Sequence, residues 1–231
     1  MKYLNCVVFL IFLSVIPVMT AVRGQSDART ESQTATARLR VEIHVKEEVQ
    51  FILGAVLRGT ALSGGVAEEV GCSTFPAAQL DVQQGATVQE AMGVFVAQNP
   101  AYRWSEDANV VNLAPVVEFP LLNAKIRSFE LETTDTRAAE AVLYDLLNLP
   151  EIRQRAAELN LKPGMRQGGL AHLNPGSHQR TPTPIRLSLH DVSLQEAFNS
   201  VVRVYGHTIW MYDERHCKGE RTYVVRASKE Y

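Results

Sequence analysis

The chain has 231 residues, 46% hydrophobic and 21% charged, so it is long enough to bury the apolar cores of one or two domains. Its 23 lysines and arginines against 25 aspartates and glutamates give a net charge of −2, without basic clusters. This balance gives no support to nucleic-acid binding or to adhesion on an anionic membrane surface.

Residues 1–24 have the pattern of a secretory signal peptide. Lys2 precedes an apolar run at 7–18, and the small residues after it predict cleavage following Gly24. The run is short for a membrane span, although an uncleaved anchor remains the alternative. Removing Lys2 and Arg23 changes the charge to 21 minus 25, or −4. We therefore expect a periplasmic or secreted protein.

After a polar stretch at 25–38, interpreted as a flexible leader, a short apolar strand followed by an amphipathic helix recurs four times. Apolar residues at i, i+3, i+4, i+7 and i+8 place five side chains on one face of each helix. In chain order the strands and helical stripes are 41–45 with Val49/Ile52/Leu53/Val56/Leu57, 80–82 with Val88/Ala91/Met92/Phe95/Val96, 129–131 with Ala139/Val142/Leu143/Leu146/Leu147, and 187–189 with Leu194/Ala197/Phe198/Val201/Val202. Short strands follow the second helix at 102–105 and 110–113, and the fourth at 208–212 and 222–226.

The second and fourth helices begin with the same motif. Thr87 with Glu90, and Ser193 with Glu196, are predicted to form capping boxes. In this motif the hydroxyl accepts a hydrogen bond from the amide of the third helical residue, and the carboxylate accepts one from the cap amide. Each cap is worth about 1 kcal/mol.

The only two tryptophans of the chain, Trp104 and Trp210, stand at the same position, six residues past each of these helices. We interpret this agreement, together with the shared caps, as an internal duplication. The tryptophans are expected to have a structural role where sheet meets helix. Exposed aromatic platforms are the alternative.

The duplication predicts an α+β fold of two tandem units, residues 39–114 and 115–227. Each unit has the order strand, helix, connector, strand, helix, strand, strand. Its helices are expected to pack on small mixed or antiparallel sheets.

The two predicted connectors differ. The first is short and rich in glycine, with Gly64, Gly65 and Gly71. The second begins with a helix at 150–160 and continues through a proline- and glycine-rich insertion at 162–184. We expect this insertion to be a mobile loop, either functional or simply disordered.

Few residues suggest catalysis, because the chain lacks a nucleophile elbow, an HExxH motif and a Cys-x-x-Cys motif. Glu68-Glu69 is interpreted as a solvated face rather than as a carboxylate pair for acid–base chemistry. His216 beside Cys217 offers poor geometry for two ligands of one metal. We predict no catalytic, cofactor-binding or metal-binding residue and no cofactor.

Two cysteines remain after signal cleavage, Cys72 and Cys217, one in each unit. In an oxidising compartment an even pair favours a disulfide, here joining the units, with two free thiols as the alternative. Closing so long a loop would stabilise the fold by about 4–5 kcal/mol on the chain-entropy model.

The segments LDVQQGATVQEAMGVFVAQNPAYRW and LSLHDVSLQEAFNSVVRVYGHTIWM resemble the secretin and TonB short N-terminal domain, or STN domain. The preceding segments VEIHVKEEVQFILGAVL and FELETTDTRAAEAVLYDLL fit the family's opening strand and helix more loosely. The resemblance covers most of the mature chain through structural motifs. It implies periplasmic α/β modules of the bacterial envelope that mediate protein–protein contacts and are not catalytic.

The sequence accordingly predicts a non-catalytic adaptor or docking module whose partners are envelope proteins, bound by strand addition at a sheet edge. The alternative is a periplasmic small-ligand-binding protein or enzyme, with a site between the two units capped by residues 162–184. That alternative predicts a pocket with convergent polar groups. Self-association through the repeated units is a third hypothesis.

Overall fold

A computed structural model describes residues 33–72, 75–133, 138–164 and 185–229, which belong to one compact unit. The elements of the first part are α1 (Gln33–Thr36), β1 (Ile43–Glu48), α2 (Val49–Leu57), β2 (Ser63–Val70), β3 (Ala77–Val82), α3 (Val88–Gln98), β4 (Tyr102–Asp107) and β5 (Val110–Pro115). Those of the second part are β6 (Lys125–Thr133), α4 (Ala139–Leu147), α5 (Pro150–Glu158), β7 (Lys162–Pro163), β8 (Ile185–Ser193), α6 (Leu194–Tyr205), β9 (Thr208–Cys217) and β10 (Glu220–Lys229).

The strands form three sheets. Two are antiparallel pairs, β1 with β3 and β6 with β8, and the third has six strands in the order β4-β5-β2-β9-β10-β7. In the large sheet β2 runs parallel to both β5 and β9. The α+β fold class that the sequence predicts is confirmed.

The pairing scheme of the first half, residues 39–114, recurs in the second half, residues 115–227. In the first half β1 pairs antiparallel with β3, β4 antiparallel with β5, and β2 parallel with β5. In the second half β6 pairs antiparallel with β8, β9 antiparallel with β10, and β7 parallel with β10. β9 is therefore the counterpart of β4, and β7 that of β2.

Two apolar cores lie on opposite faces of the six-stranded sheet. Successive side chains of a strand point to opposite faces. Val66 of β2 belongs to the core under α2 and α3, and its neighbour Ala67 belongs to the core under α4 and α6. Met211 and Tyr212 of β9 divide between the two cores in the same way.

The four predicted amphipathic helices are confirmed as α2, α3, α4 and α6. All five stripe residues are buried in α2, α4 and α6, and four of the five in α3, where Val96 is half-buried. Burying five such side chains contributes about 8–15 kcal/mol per helix before conformational entropy is subtracted. The additional helix predicted after Pro150 is present as α5.

The predicted first connector contains a strand that the sequence analysis did not identify, because Gly64 and Gly65 belong to β2, a central strand. A Cβ on Gly65 would overlap the indole ring of Trp210. Glycine is needed here for the close approach of two strands, not for flexibility. Of the predicted insertion 162–184, residues 162–164 are described, and Gly164 donates its amide to the Tyr223 carbonyl at 2.7 Å.

The predicted signal peptide and the first part of the predicted leader lie outside the described residues. Residues 33–38 of that leader are ordered: they contain α1 and a bridge between Arg38 and Thr87. Thr34 is buried. Within the described ranges, no helix is both long enough and apolar enough to span a bilayer.

Candidate functional site

Both capping boxes are present. The Glu90 amide donates to the Thr87 hydroxyl at 3.1 Å, and the Thr87 amide donates to the Glu90 carboxylate at 2.7 Å. The matching distances for Ser193 and Glu196 are 3.2 and 2.6 Å. Because the backbone bond favours the ionised form, it lowers the pKa of both glutamates. These four residues therefore fix where α3 and α6 begin.

Cys72 and Cys217 form a disulfide, with their Cα atoms 4.7 Å apart. Cys72 lies two residues beyond β2, and Cys217 is the last residue of β9. Since β2 and β9 run parallel, the disulfide ties together the same ends of two paired strands. It joins the two halves of the molecule.

Trp210 is enclosed by both halves. It stands opposite Gly65 of β2 and is 1% exposed. Its indole nitrogen donates to the Asn199 side chain of α6 at 2.8 Å, and its ring lies 5.6 Å from that of Phe198. Asn199 also donates to Asp107 in the first half at 2.9 Å. Trp210 is thus buried where the two halves meet.

Trp104 has the corresponding position on β4 but a different environment. It is half-buried and packs against the core under α2 and α3. In the alignment that matches Trp104 with Trp210, Gly93 takes the place of Asn199. No strand lies along the outer side of β4 in the sheet as described. The two matched tryptophans therefore differ because only one has a neighbouring strand over it.

Several outer sheet edges are covered by local groups. On β3, the Gln79 amide donates to Asn99 at 3.0 Å and the Asp81 amide to Gln98 at 3.1 Å, so side chains of the α3 end replace a strand. On β6, the amide of Arg127 donates to a carboxylate of α5 at 3.2 Å. On β7, Pro163 lacks an amide hydrogen, a usual protection of edge strands.

Among the described residues, no side chain or strand is recorded over the middle of the outer edge of β4. The Val116 amide donates to the Ala101 carbonyl at 2.8 Å, and in an antiparallel pair every second residue directs its amide and carbonyl to the partner strand. The main-chain groups of Arg103 and Ser105 therefore face β5, and the amide and carbonyl of Trp104 face outwards. At the far end of β4, Thr34 of α1 donates to the Glu106 carboxylate at 2.7 Å. The Trp104 backbone is therefore positioned to pair with an added strand.

Sequence reasoning missed a buried carboxyl group where β2 meets β9. Glu68 is 1% exposed, and the Tyr102 hydroxyl donates to it at 3.4 Å. Burial, and next the nearby Asp213 charge, raise the pKa of Glu68 to about 8. The interpretation of Glu68-Glu69 as a solvated face is wrong for Glu68, whereas Glu69 is exposed. Alternation with Val66 and Val70 would have placed Glu68 inwards, had the strand been recognised.

Asp213, beside Glu68 in the strand register, is compensated by arginine. Arg226 donates to it at 2.8 Å, and Arg215 lies at 3.8 Å. Both guanidinium groups lie 5.6 Å from the ring centre of Phe75, a cation–π arrangement. Burial raises the pKa of Asp213 and the arginines oppose that shift. The junction therefore holds one carboxyl group, Asp213, paired with arginines, and one, Glu68, that accepts a hydrogen bond from the Tyr102 hydroxyl.

The described residues contain no group of three or more histidines, cysteines or carboxylates able to hold a metal ion. A shallow cavity of about 270 Å³ between the halves is lined by Leu57, Leu62 and Ile209, with Arg58 and His207. None of these residues has a buried polar atom lacking a partner in the described structure. The convergent polar groups expected of an enzyme site are not seen there.

Comparison with known proteins adds no assignment. No family model matches the chain, and neither a curated protein nor a solved structure matches it. The resemblance to the STN domain thus remains a prediction from the two strand–helix–strand segments.

Proposed function

We propose that this protein is a non-catalytic protein–protein interaction module of a bacterial cell envelope, docking its partner by strand addition to the outer edge of β4. One observation carries the proposal. β9, the counterpart of β4, has a parallel strand along one side, and on the matching side of β4 the described residues place no strand. The molecule itself therefore contains an example of the pairing proposed for β4.

Protection of three other edges, those of β3, β6 and β7, supports the choice of β4. Main-chain groups of β3 and β6 are occupied by side chains, and β7 contains a proline. An edge with accessible main-chain groups beside an apolar ring offers both affinity and side-chain specificity to an extended peptide. On β4 that ring is the half-buried Trp104.

The proposed location is periplasmic or extracellular. The apolar run after Lys2 supports export, and the disulfide between Cys72 and Cys217 is compatible with an oxidising compartment. The resemblance to STN domains supports a role in protein contacts. It rests on the capped-helix segments around Thr87 and Ser193.

A second candidate function is the binding of a small apolar ligand in the cavity lined by Leu57, Leu62 and Ile209. The observation that favours it is the apolar lining beside Arg58 and His207. The two candidates separate by mutation, because a change on β4 would leave this cavity intact.

Proline substitution of the β4 edge tests the proposal. Glu106→Pro removes an outward amide of β4, and proline is tolerated on edge strands. The control is Gln84→Pro, in a turn closed by the Ala86 amide and the Gln83 carbonyl, where Gly85 has a φ of +85°. Proline suits that turn position.

Immobilised wild type and the Gln84→Pro control should retain the same envelope protein, identified by mass spectrometry. The Glu106→Pro variant should lose it. Equal retention by all three proteins would reject docking at β4. Retention of a small molecule alone would favour the ligand-binding candidate.

A further inference from the structure

We propose that the cavity beside Ile209 binds a single-chain amphipathic carboxylate, such as a fatty acid, with its apolar chain against Ile209 and its carboxylate at Arg58 and His207. The inference rests on the second candidate function, since it names the chemical class of the ligand for the same cavity. Docking at β4 involves other residues, so either proposal can fail without the other.

The apolar wall of this cavity comes from both halves of the molecule. Leu57 is the last residue of α2, Leu62 lies in the turn that follows, and Ile209 is the second residue of β9. All three are largely buried and belong to the core under α2 and α3. Packing in that core fixes their positions. A hydrocarbon chain placed against this wall would displace water from apolar surface, which favours binding.

The turn between α2 and β2 is held by a buried threonine. The Thr60 hydroxyl donates to the Leu57 carbonyl at 2.7 Å and accepts a hydrogen bond from the Leu62 amide at 3.2 Å. The Thr60 amide also donates to the Leu57 carbonyl, at 2.9 Å. The wall is therefore formed before any ligand arrives, so little binding free energy is lost in ordering it.

Three basic side chains lie at the mouth of the cavity. Arg58 and His207 line it, and both are exposed. The Arg40 side chain lies over Gly59, another lining residue, since a Cβ on Gly59 would come within 2.6 Å of the Arg40 Nε atom. None of the three basic side chains forms an ion pair with a carboxylate of the described ranges.

The arginines of the neighbouring β9–β10 hairpin are arranged differently. Arg221 donates to Glu214 at 3.2 Å, and Arg226 donates to Asp213 at 2.8 Å. Arg58 has no such carboxylate among the described residues, and a ligand could supply one. Hydrogen bonds between a guanidinium and a carboxylate are about twice as strong as those between neutral groups. The charge at the mouth therefore favours an anionic head group over a neutral one.

The volume of the cavity limits the size of the chain. At about 270 Å³ it lies just below the range of about 300–1,000 Å³ for small-molecule sites, which suits one chain rather than the two of a phospholipid. Ile209 also lines a neighbouring cavity of about 200 Å³, together with Met211 and Phe51. A longer chain would pass Ile209 and cover Phe51, which is 60% exposed. Gln50 and Arg226 in that second cavity are polar, so the gain from added carbons should end there.

Isothermal titration calorimetry with the purified mature protein tests the ligand class. The probes are hexanoate, octanoate and decanoate at neutral pH, with octanol as the uncharged control. We expect affinity to rise by up to about fourfold for each added methylene group. Octanoate should bind at least about tenfold more tightly than octanol.

A matched pair of arginine variants locates the carboxylate. Arg58→Gln removes the charge at the mouth, and the control Arg127→Gln removes the same charge from an exposed residue of β6, in another sheet. We expect Arg58→Gln to weaken octanoate at least about fivefold without changing octanol, and Arg127→Gln to change neither. Equal weakening of octanoate by both variants would reduce the effect to net charge and overturn the assignment.

Methyl NMR of isoleucine locates the chain. Ile209 lines the cavity, and the control Ile152 of α5 belongs to the other core. Octanoate should shift the Ile209 methyl signals and show nuclear Overhauser contacts to them, while Ile152 stays unchanged. Saturable binding that leaves the Ile209 signals unchanged would place the ligand elsewhere and overturn the inference.

The remaining outcomes separate this inference from the functions proposed above. If octanol binds at Ile209 as tightly as octanoate, the carboxylate assignment is overturned and an apolar ligand remains. If neither compound binds saturably, both the inference and the second candidate function are overturned. Docking at β4 stands in either case, because neither experiment involves that strand.

Discussion

β9 and β4 occupy corresponding positions in the two halves of the molecule, but their tryptophans differ in burial. Trp210 is 1% exposed beside a neighbouring strand, whereas Trp104, which has no such strand among the described residues, is half-buried. β9 therefore lies inside the six-stranded sheet, paired with β2, whereas β4 is an outer strand of the same sheet as described. We call these the closed junction and the open edge. What differs is the third strand, eight residues long in β2 and two in β7.

The surrounding side chains follow this difference. Asn199 accepts the Trp210 indole hydrogen, while α3 has Gly93 at the matching position. The Asp213 side chain is 2% exposed at the junction, and that of its counterpart Asp107 is 45% exposed. Asn199 and Asp213 are therefore buried at the junction of β2 and β9. On the open edge, the matching aspartate stays exposed to solvent.

The strongest test of the closed junction removes its covalent link. Replacing Cys72 and Cys217 by serine opens a loop of 145 residues. On the chain-entropy model this lowers the free energy of unfolding by about 5 kcal/mol. Urea unfolding of the purified protein measures the loss. A loss under about 1 kcal/mol would show that strand pairing alone holds β2 on β9.

The close approach of β2 to Trp210 is tested by Gly65→Val. The added side chain must displace the indole, so we expect a loss of about 3 kcal/mol. Gly71→Ala is the control, because a Cβ there meets nothing within 4 Å. Thermal unfolding compares the two. Similar stability of both variants would mean that the junction is loosely packed.

The buried carboxyl group of the junction is tested by pH. Since the folded pKa of Glu68 is about 8, the folded state holds the proton more tightly than the unfolded state. Its stabilising contribution is complete below about pH 4.5 and is lost as the pH rises towards 8. The loss is about 2–4 kcal/mol by linkage.

Glu68→Gln should remove this dependence and be more stable than the wild type at pH 8. Glu69→Gln is the control, since the Glu69 side chain is 49% exposed. Urea unfolding at pH 5, 6.5 and 8 gives the three profiles. If the wild type and Glu68→Gln show parallel profiles, Glu68 does not titrate within the fold.

The smallest expected effect concerns the open half. Helix propensity alone makes Gly93→Ala stabilising by about 1 kcal/mol and Gly93→Asn by about half as much or less. If asparagine reaches the Trp104 indole as Asn199 reaches Trp210, it should equal or exceed alanine. Thermal unfolding measures both, and repeating the pair with Trp104→Phe removes the gain. Asparagine clearly below alanine would show that the halves differ around their tryptophans.

Local patterns predicted much of this fold. The helix carrying Leu194, Phe198 and Val202 is defined by its own spacing, and the capping box of Ser193 involves residues three apart. Such features need no knowledge of distant contacts, which explains why helix positions and fold class agree with the sequence prediction.

The central strand was not predictable in the same way. β2 begins Ser-Gly-Gly and ends with two glutamates before Val70, so it lacks the β-branched run of a buried strand. Its glycines are explained only by Trp210, which lies 145 residues from Gly65 in the chain. Glu68 is likewise buried because β2 pairs with β9, a strand distant in the chain. The junction arises from contacts between the halves, and sequence periodicity does not report them.

Amide hydrogen exchange at Trp104 in the purified protein tests the central claim most directly. The Trp104 amide faces the outer side of β4, and that of Ser105 faces β5. We predict that Trp104 exchanges rapidly while Ser105 stays protected. A Trp104 amide protected as strongly as that of Ser105 would contradict an accessible edge on β4.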